Sequence, residues 1–179
     1  MAFAVLVASS LSLAPGRALA DEPDPYRLRH FAVNANPAAL GIGRLSGDAT
    51  IVPVTHHALV LTPFATYVTP DTLVKPSDRT QTGYGGELAY HFYSGVRGPS
   101  GLFVGGGALL SRTHVAAGVG LGAEDLTTVG FIFDFGLQRV FDSGFMVGGG
   151  FGAQVAKDVG TSKLWHLDPR FLLLIGYAF

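Results

Sequence analysis

The side chains best able to do chemistry in this chain are Arg44 and Asp48, Glu87 and His91, Arg112 and His114, Asp134, Asp168 and Arg170. A charge withdrawn from water costs several kcal/mol unless it is paired. Both signs occur in the set, so its simplest use is an internal network of ion pairs and hydrogen bonds filling a narrow interior. A narrow polar channel is the second use. Nucleophilic catalysis needs a serine in reach of a histidine that an acid orients. His114 lies near Ser111, but an odd spacing sends the two to opposite faces of a straight strand. His166 lies near Asp168, with only Ser162, in a connection, as a serine. His56 and His57 are adjacent, point opposite ways and lie near the turn at Pro53, which reads as a rim pair rather than a metal site. Gly41-Ile42-Gly43 and Gly148-Gly149-Gly150 open no helix and carry no GK[ST], so they are not phosphate loops. The absence of cysteine removes disulfides, thiolate zinc sites and a cysteine nucleophile. The expectation is no catalytic residue, no metal and no cofactor.

The elements that must position these residues alternate with period 2. Residues 170–179 place Phe171, Leu173, Ile175, Tyr177 and Phe179 on one face, and Arg170, Leu172, Leu174, Gly176 and Ala178 on the other. Residues 128–141 set Val129, Phe131, Phe133, Phe135, Leu137 and Phe141 against Gly130, Ile132, Asp134, Gly136 and Gln138. Such a row would wrap around a helix, so these segments are strands. Further strands are expected over 145–155, 84–93 and 40–52, and over 57–68 and 101–115, where the facing is ambiguous. An eighth, the weakest, is expected over 28–34. The connections alternate between short and longer, as in an up-and-down barrel with turns at one end and loops at the other. The expected fold is all-β, an antiparallel up-and-down transmembrane barrel of eight strands.

Composition fits that fold. Charged residues make up 14% of the 179 and 25 are glycine, against about 25% charged and about 7% glycine in ordinary soluble domains. With 12 Lys and Arg against 13 Asp and Glu, no basic excess points to nucleic acid. No uninterrupted apolar stretch is long enough for a transmembrane helix, so a membrane role requires strands. Residues 1–20 read as a cleaved secretory signal peptide, with Ala18-Leu19-Ala20 at the cleavage site; no Lys or Arg precedes the apolar run. Its removal takes away Arg17 and leaves 11 basic against 13 acidic residues. Residues 21–179 then form one barrel domain.

The clear strands carry their large apolar residues on one face and small or polar ones on the other. A narrow eight-stranded interior takes the small and polar set, which leaves Phe, Leu, Val and Ile for lipid. Trp165, Tyr67, Tyr84 and Tyr177 fit interfacial girdles. The C-terminal strand, with Phe171, Leu173, Ile175, Tyr177 and terminal Phe179, resembles the recognition strand of bacterial outer-membrane β-barrels. The chain from residue 21 resembles, in size and strand rhythm, the small barrels of the OmpA, OmpX and OmpW type. That resemblance implies a Gram-negative outer membrane, Sec export, contact with membrane lipid and lipopolysaccharide, and assembly through the C-terminal strand. It implies no activity, although some outer-membrane barrels modify lipid A. The expected role is structural or surface interaction by a monomer, with a plugged lumen lined by Arg44, Asp48, Glu87, His91, Arg112, Asp134 and Arg170. The alternatives are a narrow channel for small solutes or hydrophobic compounds, and a soluble periplasmic lipocalin-like barrel with Phe131, Phe133 and Phe135 inside.

Overall fold

The structure, a computed structural model, describes residues 28–70, 78–159 and 165–179. The leader expected over 1–20 and the polar lead after it lie outside the described residues. Eight antiparallel strands pair in chain order and close into a barrel through β1 and β8. They are β1 (Phe31–Ala35), β2 (Arg44–Val54), β3 (His57–Val68), β4 (Gln81–Tyr93), β5 (Gly101–Val115), β6 (Glu124–Val140), β7 (Phe145–Val159) and β8 (His166–Ala178). Closure leaves no strand edge unpaired, apart from a seam at Asn36. At one end two residues join β2 to β3, residues 94–100 join β4 to β5, and the Asp142-Ser143-Gly144 turn joins β6 to β7. Gly144 closes that turn with φ +93 and donates its N–H to the Phe141 carbonyl (2.9 Å). At the opposite end the β1–β2, β3–β4 and β5–β6 connections are each longer than any of those.

The first hairpin departs from the expected boundaries. β1 spans five residues rather than 28–34, and the strand expected from residue 40 begins at Arg44. Between them Pro37–Ile42 forms a short 3-10 helix. Pro37 supplies a fixed φ and no N–H at its first turn, and Gly43, with φ +71, ends it. Because β1 stops at Ala35, the loop-end half of β8 has no strand beside it on that side. Asn36 bridges the gap: its side-chain oxygen accepts the Leu173 N–H (3.1 Å), and its amide donates to the Phe171 carbonyl (3.4 Å).

Side-chain facing is consistent around the wall. On β6, Phe131, Phe133 and Phe135 are 56–59% exposed while Asp134 is 5% exposed. Leu59, Leu61, Leu88, Tyr90, Phe151, Phe171 and Leu173 also face outward. Inward glycines make room for their neighbours across the strand. A Cβ on Gly107 would stand 2.6 Å from the Ala89 Cα, and one on Gly105 would run into the His91 ring. The bore therefore closes tightly around the side chains that fill it.

Candidate functional site

The interior is organised around Glu87. Alternation on β4 turns Gly85, Glu87, Ala89, His91 and Tyr93 inward, and Glu87 stands mid-strand with its side chain 1% exposed. Its Oε1 accepts from Arg44 Nη2 (2.6 Å) and Arg170 Nη1 (2.8 Å), and its Oε2 accepts from Arg170 Nη2 (2.8 Å). Arg170 is thus bidentate on Glu87, the geometry that matches a guanidinium to a carboxylate best. Its Nε donates to Asp134 Oδ1 at 3.0 Å. The Arg44 guanidinium also lies over the Phe64 ring, 3.7 Å from its centroid, a cation–π contact favoured by desolvation. Asp48, on the same face of β2 as Arg44, accepts from the Thr62 hydroxyl (2.7 Å).

Beyond this network, toward the short-turn end, the bore turns apolar. His91 stacks on Phe103 at 5.3 Å between ring centroids. Val52, Ala58, Tyr93, Phe103 and Leu174 form a buried cluster, and Ala32, Val140, Met146 and Ala178 form another. Gln138 is buried beside Met146, with its amide directed at the Met146 sulfur. Glu87, Ile132, Gln138 and Met146 are all withdrawn from water, which side chains lining an open aqueous bore would not be. Charged bridges at mid-height and apolar packing below them fill the interior.

The structure brings Arg44, Asp48, Glu87, His91, Asp134 and Arg170 to this inner face. Arg112 is a correction. It lies on the outer face of β5 near the loop end, 60% exposed, with Asp125 at 3.6 Å. His114 shares that outer face and donates Nδ1–H to Asp125 Oδ1 (2.8 Å). The reason is the register of β5: Phe103, Gly105, Gly107 and Leu109 face inward opposite Tyr93, His91, Ala89 and Glu87. Even-numbered residues of the strand, Arg112 and His114 among them, then point out. The hydrogen bond from His114 and the nearby Arg112 hold the Asp125 carboxyl below its ordinary range.

Asp168 lies at the loop-end rim of β8, 3.4 Å from His166. Ser111 is on the inner parity of β5, opposite in facing to His114, and Ser162 lies outside the described residues. Among the described residues no cluster of three metal-ligating side chains occurs. The His56 and His57 rings at the β2–β3 turn both pack against Phe92, 5.7 and 5.6 Å between centroids, but bond different partners. His56, at φ +72, donates Nδ1–H to the Tyr93 carbonyl (2.8 Å), while His57 bonds the Tyr90 hydroxyl on the outer wall. Asn36, the seam residue, had no signal in the strand pattern; only the asparagine beside Pro37 hinted at a turn there. Trp165 stacks on Phe131 near the loop end (6.4 Å).

No protein-family model, curated protein or solved structure matches the chain. Its own geometry is therefore the guide to what it can do.

Proposed function

We propose that this chain is an integral β-barrel of a Gram-negative outer membrane, with a structural or surface-interaction role, a plugged polar lumen and no enzymatic activity. One observation carries the reading: large apolar side chains cover the outside while ion pairs sit inside, with Phe133 exposed and Asp134 buried on adjacent positions. A soluble barrel that binds ligands inside has the opposite facing. In hydrocarbon the backbone must satisfy its own polar groups, and a closed sheet does so. β2 to β8, at 11–17 residues each, reach the roughly 9–11 residues that a tilted strand needs to span a bilayer.

In this reading residues 1–20 direct export through the Sec pathway, and the short turns face the periplasm. The longer connections face outward, and the monomer's wall contacts lipid and lipopolysaccharide. Phe171, Leu173, Ile175, Tyr177 and Phe179 form the strand that the barrel-assembly machinery engages. The filled bore favours a plug over a channel. Expressed in a Gram-negative host, the protein should fractionate with outer membranes and migrate differently on gels before and after boiling. Recovery as a detergent-free soluble monomer would overturn the proposal.

A further inference from the structure

The outer wall is not uniformly ridged. Gly86 faces outward on β4 between Tyr84 and Leu88, paired with Pro63 on one side and Leu110 on the other. A Cβ built on Gly86 meets nothing within 4 Å. The result is a groove of about 620 Å³, walled by Leu61, Leu88 and Leu110, with Tyr84 and Arg112 toward the loop end. Its size lies within the range of ligand clefts, about 300–1,000 Å³. The lining is apolar along its length and cationic at one end.

Arg112 is available to a ligand. Its contact with Asp125, at 3.6 Å, is longer than the roughly 2.7–2.9 Å of a charge-assisted hydrogen bond. Asp125 has a closer partner in His114, at 2.8 Å. An anion can therefore engage the guanidinium without stripping Asp125 of its hydrogen bond, although it must tolerate that carboxylate nearby. A long apolar trough ending in an arginine at the rim complements an acyl chain joined to a phosphate.

We propose that the groove over Gly86 holds one acyl chain of an anionic, phosphate-headed lipid, with the phosphate on Arg112. The proposal rests on the membrane reading and adds to it a specific site on the wall. Gly86 keeps the trough open, and Leu61, Leu88 and Leu110 grip the chain. Arg112 selects the charge of the headgroup.

The test is native mass spectrometry of the detergent-folded protein incubated with dimyristoylphosphatidylglycerol, dimyristoylphosphatidylcholine or inorganic phosphate. The wild type should retain one phosphatidylglycerol through detergent removal and retain phosphatidylcholine far less. Gly86→Leu, which fills open space, and Arg112→Gln should each lower retention about tenfold, the order of one charge-assisted contact or one apolar side chain. Arg139→Gln, at the opposite end of the wall, should leave retention unchanged. Equal retention of the two lipids, no loss in Gly86→Leu, or an equal loss in Arg139→Gln would overturn the site. So would binding of inorganic phosphate that matches the lipid in its sensitivity to Arg112→Gln. Each variant is first checked for insertion into vesicles by its gel migration before and after boiling. Failure of the wild type to insert defeats the membrane reading and the site together. Insertion without lipid retention defeats the site alone.

Discussion

Glu87 is the residue on which the interior depends, because two guanidinium groups converge on its carboxylate. Replacing it by alanine leaves Arg44 and Arg170 facing each other without the carboxylate between them, and Arg170 keeps only its bond to Asp134. Breaking a buried pair in this way costs about 3–5 kcal/mol, so Glu87→Ala should lower the urea-unfolding midpoint of the folded barrel sharply. Arg112→Ala, at an exposed pair, should change the unfolding free energy by no more than about 0.5 kcal/mol. Equal shifts for the two would mean that the network is not the interior anchor. Asp125 provides a contrast in pH. Its folded pKa is depressed, so its pairing with His114 and Arg112 contributes above the carboxyl's unfolded value and is lost as pH falls through the lower folded one. An NMR titration should place the Asp125 midpoint below the ordinary 3.8, and His114→Ala should move it back up. Most of the polar interior was legible in the sequence because Arg44, Glu87, Asp134 and Arg170 each sit in an alternating segment. Arg112 was not. On β5 both faces carry large residues, Phe103 and Leu109 inside and Val104 and Leu110 outside, and the run Gly105-Gly106-Gly107 has no alternation to read. Packing against His91 and Ala89 decides the facing there.

At the scale of elements, the weak point is the seam where β1 ends and the Asn36 side chain takes over from strand pairing. Asn36→Ala leaves the Leu173 N–H without its acceptor. An unsatisfied backbone group of this kind costs about 1–3 kcal/mol, and the wall should loosen locally. Hydrogen exchange at Leu173 should accelerate in the variant while β4–β6 stay protected. Unchanged protection at Leu173 would mean that the asparagine does not seal the wall. The other end of β1 closes on the C-terminus, where the Phe179 N–H donates to the Phe31 carbonyl (2.7 Å) and the two rings lie 6.0 Å apart. Deleting Phe179 should therefore lower the yield of folded barrel, read as the heat-modifiable fraction on gels. Strands β4, β6, β7 and β8 were legible because a period of 2 persists over long runs, whereas on β3 and β5 the facing was ambiguous. The first hairpin was not, because a five-residue strand is too short to display a period and the 3-10 turn at Pro37 separates it from β2. The seam residue escaped notice for the same reason: its role depends on where a neighbouring strand stops.

At the scale of the molecule, low charge and abundant glycine resolve into two surfaces of one wall. Glycines and a few paired charges occupy a filled bore, and aromatic and aliphatic side chains cover the exterior. The chain carries its own reporter for that inversion. Trp165 is the sole tryptophan, stands near the loop end, stacks on outward-facing Phe131 and is 52% exposed. In vesicles containing brominated phospholipids, its emission should shift to the blue and be quenched. Bromines near the headgroup should quench more strongly than bromines at the bilayer centre, as expected for an interfacial ring. An emission spectrum unchanged by brominated lipid, with the protein remaining in the aqueous phase, would show that the apolar exterior does not meet lipid.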